Sequence, residues 1–462
     1  MRIDLPAELT DSAALAGLLG AVPRTVLPKI TGIATDSREV ERGDLFVALT
    51  GASVDGADFL FKARERGAVA ALVRAGIAEE DLPLLAVDDP TEALLRAASL
   101  YRKLVGDHVI AVSGSTGKTT VKEALATVLS VKDVTEKSKG NFNSLVGMPL
   151  SVLSMGRARH WVLELGINHT GEMKKLSDSL APCLAVLTNV GTAHIGNFGT
   201  FPALLAEKAE IASGLSEGGD LLIPAALPSE AFRDALGSVW RTGREGDFYL
   251  ENIRYGEKGT TGDLVTPDRV ITNLAWPILG CVGVSTIETV GAAAFLAGAD
   301  EQTIREGLRQ AGRQTPRLKR SFACGRILID DSYNASPEAT VNALENLVLI
   351  AKGCPTVAVL GDMLELGKYS QMLHRTVGNA VARSGIDMLY TYGKGALSIA
   401  EGAREAGFSP AAIYSFGEDE ILPLADAVCR FSPENAAVLI KASGRMGLSR
   451  VVEEIKRRWS DE

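Results

Sequence analysis

The segment from Val109 to Leu129 constrains the fold more than any other part of the 462-residue chain. A short β-branched strand, Val109–Val112, runs into Ser113-Gly114-Ser115-Thr116-Gly117-Lys118-Thr119-Thr120, and a helical pattern then continues through Leu129. Glycines at 114 and 117 let backbone N–H groups turn inward onto phosphate oxygens, and the following helix N-terminus adds partial positive charge. Lys118 supplies a mobile cation for the β- and γ-phosphates, Thr119 offers a hydroxyl to Mg²⁺, and Thr120 extends the nucleotide contact. The Gly-x-x-Gly-Lys-Thr-Thr spacing is narrower than the general phosphate loop. A loop of this kind has a strand behind it and a helix ahead, which predicts a parallel α/β sheet around it.

The rest of the chain is punctuated in the same way. Leu45–Leu49 and Val69–Val73 read as buried strands with a helix at Ala57–Arg66 between them, and a further helix covers Thr91–Val105. Strands follow at Trp161–Leu165, Leu184–Leu187 and Leu221–Ile223. Beyond Gln314, Ile327–Ile329, Thr356–Leu360, Met388–Tyr392 and Ala437–Ile440 read as strands, with a helix at Pro337–Ala351. The expected organisation is α/β in three domains: a small α/β substrate domain at 1–85, a central phosphate-loop parallel-sheet ATPase domain at 86–312, and a C-terminal Rossmann-like domain at 313–462.

Bulk properties exclude several classes. A net charge of −9 argues against general nucleic-acid binding. Five scattered cysteines without a Cys-x-x-Cys pair argue against a disulfide framework or zinc site. Met1-Arg2-Ile3-Asp4 opens no basic region followed by an apolar run, and no uninterrupted apolar stretch approaches a membrane span. A cytoplasmic protein without membrane insertion, working as a monomer, is the expectation.

Phosphoryl transfer is mostly positioning and charge neutralisation, so oxygen-rich ligands are expected at strand ends facing the loop. Glu164 ends the apolar run Trp-Val-Leu-Glu, where a carboxylate must be paired or metal-bound. His194 follows the strand Leu184–Leu187, although a lone histidine is more often structural. Lys208, taken by itself, reads as a solvated helix lysine. Ile-Asp-Asp-Ser-Tyr-Asn-Ala-Ser-Pro, residues 329–337, follows a strand and opens a helix, where capping alone would explain Ser, Asp and Asn. Asp36-Ser37-Arg38 can offer a hydroxyl and a guanidinium to a pyrophosphate, or form a polar turn with a local Asp–Arg pair.

Taken together these motifs resemble the Mur ligases, and the phosphate loop is also similar to that of folylpolyglutamate synthetases. Glu-Leu-Gly-Ile-Asn-His resembles the family's Glu-Leu-Gly-Ala-Asn-His, Asn-Val-Gly-Thr-Ala-His-Ile-Gly-Asn-Phe-Gly its second metal loop, and Glu-Lys-Ala-Glu-Ile the segment carrying a carbamylated lysine. The resemblance implies ATP and Mg²⁺ as cofactors, with Thr119 and Glu164 at one Mg²⁺ and His194 and carbamylated Lys208 at the other. Lys118, Glu164, His194 and Lys208 are then the catalytic set. Asp331, Tyr333, Asn334 and Arg317 would reach the nucleotide from the third domain, and Thr286 from the central one. Ser37, Arg38, Asn141 and Asn143 would hold the carboxylate substrate, with Lys441 and Ser443 near the incoming amine. His374 matches a family histidine in the helix after Val-Leu-Gly-Asp-Met-Leu-Glu-Leu-Gly.

The resemblance implies an ATP-dependent amide ligase of the family's D-alanyl-D-alanine-adding branch. Its partners would be a UDP-N-acetylmuramoyl-tripeptide and D-alanyl-D-alanine, joined through an acyl phosphate. The alternative is a divergent Mur-type ligase acting on another carboxylate. Two departures motivate it. Val282, Gly283 and Thr286 stand where the family has the His and two Asn residues near the adenine, and the family's arginine after Lys-Gly-Ser appears one place late, at Arg445.

Overall fold

The computed structural model describes residues 1–23, 25–51, 54–78, 81–233, 235, 237–256, 259–314 and 318–461. Arg317 lies outside the described residues.

Four sheets organise the described residues. The first has five strands in chain order: Arg2–Asp4, antiparallel to Gly32–Ala34, then Asp44–Val47, Ala70–Arg74 and Leu84–Val87 in parallel. The sequence expectation of a helix at Ala57–Arg66 resolves into a 3₁₀ turn, Gly56–Phe59, followed by an α-helix over Leu60–Glu65.

The second sheet is six-stranded and wholly parallel, ordered Val239–Thr242, Asp220–Pro224, Leu184–Leu187, Gly106–Ser113, Ala158–Glu164 and Thr135–Lys137. Both faces are covered, so its strands read as near-continuous apolar runs. Ile110, Val112, Val162 and Val186 pack on the helices Lys118–Leu129 and Gly280–Leu296. Val109, Ala111, Trp161, Leu163 and Ala185 face the opposite core with Leu94, Met148 and Leu176. Chain order reverses on either side of Gly106–Ser113, and ligands of open α/β sheets bind at such a switch point. Val112 lies in register with Glu164 on one side and Val186 on the other, so three strand ends open onto the same place.

A three-stranded antiparallel sheet, Tyr249–Gly256, Gly259–Val265 and Val270–Trp276, packs against the helix Gly280–Leu296. The last sheet has six strands, ordered Lys319–Ala323, Arg326–Asp331, Ala437–Lys441, Thr356–Gly361, Met388–Tyr392 and Ile413–Phe416, all parallel except the first. Here Lys441 lies in register with Asp331 and with Leu360. The helix Pro337–Ala351 crosses to the central unit, where the Leu279 N–H donates to Asn346 Oδ1 at 3.0 Å. No helix among the described residues is long and apolar enough to cross a membrane.

Candidate functional site

A cleft of about 550 Å³ opens where the strand ends of the central and C-terminal sheets face one another. The phosphate loop forms its floor. Gly114 takes φ +146°, and a Cβ there would lie 2.0 Å from Thr188 Oγ1, so only glycine lets the loop pass the neighbouring strand end. Gly117 takes φ +79° immediately before the helix Lys118–Leu129. Asn189 accepts from the Thr116 N–H at 3.0 Å and donates to Thr116 Oγ1 at 2.8 Å, which ties the loop to the next strand end. Lys118 Nζ donates to the Gly114 carbonyl at 2.8 Å.

Glu164 stands at the neighbouring strand end, 3% exposed. Its carboxylate accepts from Thr119 Oγ1 at 2.8 Å and from Asn143 Nδ2 at 2.7 Å, and it has no cationic side-chain partner among the described residues. A buried carboxylate with only neutral donors has a charge left to compensate, and this supply of oxygen ligands fits a hard divalent cation. Lys122, wholly buried, secures the loop that carries Asn143: its Nζ donates to the Ser138 carbonyl at 2.8 Å and the Gly140 carbonyl at 3.3 Å.

His194 lines the cleft with a left-handed backbone, φ +64°. Its Nδ1 lies 2.5 Å from Glu365 Oε2 of the C-terminal unit, off the line of a good hydrogen bond. Burial and the nearby Lys118 charge hold the imidazole below its usual pKa, against the pull of Glu365.

Across the cleft, Lys441 donates to Asp331 Oδ2 at 2.6 Å and to the Asn334 carbonyl at 2.8 Å. Ser443 Oγ accepts from the Leu364 N–H at 2.9 Å, and Tyr333 is exposed. Asn141, Thr120, Thr286, Asp331, Tyr333, Asn334, Lys441 and Ser443 all line the cleft.

Family models match three stretches: "Mur ligase family, catalytic domain" at 29–136, "Mur ligase middle domain" at 112–294, and "Mur ligase, glutamate ligase domain" at 317–444. The chain is 32% identical over 434 residues to a UDP-N-acetylmuramoyl-tripeptide–D-alanyl-D-alanine ligase of Bacillus subtilis, covering 92% of this chain and 93% of that one. The chain belongs to the Mur ligase family. It is also 34% identical to the Escherichia coli protein of the same name, over 81% of this chain and 84% of that one. Two solved structures lie near it. MurF from Acinetobacter baumannii superposes with a TM-score of 0.87 at 27% identity, covering 96% of this chain and 98% of that one. MurF from Thermotoga maritima, in complex with ADP, gives 0.81 at 27% identity, covering 93% and 98%.

Four sequence-derived candidate side chains of this Mur ligase, Lys208, Ser37, Arg38 and His374, lie off the walls of the cleft. Lys208 sits behind it, 2% exposed and without a hydrogen bond or ion pair to any described residue. Burial and the charge of Lys118 push its ammonium down to about 7. Ser37 and Arg38 belong to the first sheet's unit, Ser37 being buried. The local pair is formed there: Arg38 Nη2 donates to Asp36 Oδ2 at 2.6 Å, and the arginine holds the Asp36 carboxyl well below the usual range. His374 is buried inside the C-terminal unit, its Nε2 accepting from the Met363 N–H at 3.0 Å.

At Gly283 the departure coincides with a packing limit. A Cβ at Gly283 would lie 2.1 Å from the Ile278 carbonyl and 2.2 Å from Thr260 Oγ1, so no larger side chain fits without displacing backbone. Thr286 Oγ1 donates to the Val282 carbonyl at 2.7 Å. Sequence reasoning missed Asn189, Lys122, Glu338 and Glu365. Glu338 accepts from the Thr192 N–H at 2.7 Å and hydroxyl at 2.9 Å, across the interface. Asn189 and Glu365 carried a signal, the Asn-Val-Gly-Thr-Ala-His and Leu-Glu-Leu-Gly runs.

Proposed function

We propose that this chain is the ATP-dependent ligase that adds D-alanyl-D-alanine to a UDP-N-acetylmuramoyl-tripeptide, giving the pentapeptide precursor of peptidoglycan, ADP and phosphate. The observation that carries this is the convergence of the phosphate loop, the uncompensated Glu164 carboxylate and His194 in one cleft, faced by Asp331 and Lys441. Relatives bearing that enzyme's name match nearly the whole chain.

In this reading the N–H groups of the 114–120 loop and Lys118 grip the β- and γ-phosphates. The terminal carboxylate of the tripeptide attacks the γ-phosphorus and ADP leaves, giving the acyl phosphate. The uncharged amine of D-alanyl-D-alanine then attacks the acyl carbon, phosphate departs, and the amine proton passes to solvent. Lys118 and the loop N–H groups stabilise charge on the transferring phosphoryl group. One Mg²⁺ would be held by Thr119 and Glu164 and a second by His194 and carbamylated Lys208, and together they would neutralise phosphate charge. Asn143, fixed by Lys122 through its loop, keeps the Glu164 carboxylate oriented. The purine fits the apolar slot of Ile278, Val282, Ala339 and Ala343, with Asp331, Tyr333 and Asn334 along the nucleotide and Ser443 beside the amine.

Lys208 fits a carbamate. A buried ammonium beside Lys118 is repelled, whereas an amine that loses its proton near pH 7 can attack CO₂. An N–C bond forms, a proton leaves, and repulsion from Lys118 becomes attraction. Ser37 and Arg38, with Asn141, hold the UDP-sugar. The domain limits 85/86 and 312/313, the monomeric state and the cytoplasmic location belong to the same reading, although the first sheet continues to Val87. Phosphate release with a panel of UDP-muramoyl peptides and amines tests it. Turnover is expected only with the tripeptide and D-alanyl-D-alanine; release with another carboxylate instead would establish a divergent ligase.

A further inference from the structure

We propose that Glu365 is a positioning residue for His194, so that the histidine is set for a divalent cation only when the C-terminal unit is docked on the central one. This rests on the metal-dependent ligase reading above. Glu365 comes from the C-terminal unit, yet its carboxylate is shared between two partners: Oε2 lies 2.5 Å from His194 Nδ1 and Oε1 lies 3.3 Å from Arg445 Nη2. Its backbone is engaged as well. The Gly196 N–H donates to the Glu365 carbonyl at 3.1 Å, and a Cβ at Gly196 would come within 2.7 Å of that oxygen. The Tyr369 hydroxyl donates to the Gly199 carbonyl at 2.8 Å and closes the other end of the contact.

Both His194 and Glu365 hold left-handed backbones, φ +64° and +66°. Side chains other than glycine rarely adopt this region, and such residues persist where surrounding contacts over-determine them. Here the contacts come from both units at once. With Nδ1 only 2.5 Å from the carboxylate, although off the line of a good hydrogen bond, Nε2 is the nitrogen left for a cation. A carboxylate behind a ligating histidine fixes its tautomer and ring direction, and removing such a partner typically weakens metal binding about ten- to a hundredfold. Arg445 holds the carboxylate from its far side. Loss of docking therefore frees the imidazole, and ligand geometry in the central unit depends on a residue of the other.

The test measures Mn²⁺ binding by electron paramagnetic resonance on the full chain with a non-hydrolysable ATP analogue. Glu365→Ala, His194→Ala and the double variant are compared with wild type, and Glu365→Gln replaces Glu365→Ala if that variant does not fold. Glu365→Ala is expected to weaken Mn²⁺ binding roughly tenfold or more and to leave the KM for ATP within about twofold. On the His194→Ala background it should add nothing, because it acts through that imidazole. Unchanged Mn²⁺ affinity, or losses that add in the double variant, overturns the inference and leaves Glu365 as a domain latch alone. If wild type with the analogue binds no Mn²⁺, the metal-dependent reading itself fails, a result distinct from equal binding by wild type and variant.

Discussion

The two ends of the cleft are built on different terms. At the phosphate end of the proposed site, six consecutive residues, Ser115–Thr120, line the cleft, and the proposed grip on the anion is a matter of backbone geometry. Its glycines are required by φ values and by a 2.0 Å approach to Thr188, so substitution is punished locally. At the proposed base end, Ile278 and Val282 line the cleft together with Ala339 and Ala343 from another sheet's helix, and the surface is a packing product. There the residues at 282, 283 and 286 have departed from the family pattern while the cleft persists. An anion needs donors at fixed positions; a flat apolar ring needs walls, and many side chains make walls.

The largest way to break the contrast is at the phosphate end. Lys118→Ala is expected to abolish acyl-phosphate formation, with a loss of roughly 10³-fold or more in turnover and an unchanged fold. Rapid-quench detection of the acyl phosphate and circular dichroism check it; near-normal turnover would remove the loop from the chemistry. Lys208→Ala should follow with about a hundredfold loss, partly restored by small carboxylates such as acetate. The carbamate also has a pH signature. Because the Lys208 ammonium is pushed down to about 7, the reactive amine is scarce below that pH and dominant above it. Carbamylation followed by ¹³C NMR in labelled bicarbonate should rise through about pH 7. A flat profile, or no signal in wild type, would count against the modification.

This contrast also explains what could be read in advance. The strands Leu184–Leu187 and Met388–Tyr392 and the helix Pro337–Ala351 coincide with their sequence expectations, because each is an apolar or capped run bounded by turns. The hairpin sheet Tyr249–Trp276 was not legible. Its first strand is largely exposed, a bulge separates Glu251 from Arg254, and left-handed Asn252 and Asn273 interrupt alternation. In the site, most residues within contiguous motifs were legible, Asn189 and Glu365 excepted. Lys122 was not, since a lysine one turn into a helix reads as solvated unless the loop at 138–140 is known to cover it. Glu338 and Glu365 act across an interface between segments more than a hundred residues apart, and no local pattern marks such a pair.

Arg38 offers a control remote from both ends. If its guanidinium holds the pyrophosphate of the UDP-sugar, Arg38→Ala should raise the KM for the UDP-muramoyl tripeptide roughly tenfold and leave the KM for ATP nearly unchanged. Because Asp36 already binds this guanidinium, the substrate must compete with that pair or share it. Equal rises in both KM values would point to a folding defect instead. Gly283→Asn probes the base end directly, by restoring an amide where the family carries one. The new side chain collides with the Ile278 carbonyl and Thr260, so a destabilisation of about 1–3 kcal/mol is expected. Thermal unfolding measures it, and a neutral result would mean the helix Gly280–Leu296 can shift on the hairpin sheet.

The smallest effect should be the discrimination between ATP and GTP. A buried site that hydrogen-bonds its ligand rejects analogues by about 10⁴–10⁵, because the wrong ligand leaves polar groups unpaired. The base end of this cleft has little of that kind to leave unpaired. Gly283 offers no side chain, Val282 is apolar, and the Thr286 hydroxyl is already donating to a carbonyl of its own helix. Asn342 lines the same wall, but its Oδ1 lies 3.3 Å from the Cys281 thiol, which burial and Glu345 push up to about 12 and so keep protonated. One amide edge then remains to read a purine, against the paired donor and acceptor that two asparagines would supply. The ratio of kcat/KM for ATP over GTP is therefore expected to stay below about a hundredfold, measured by phosphate release at matched Mg²⁺. A preference of several orders of magnitude would show that the base end is as strictly built as the phosphate end, and mutating Asn342 to Ala would then be the next measurement.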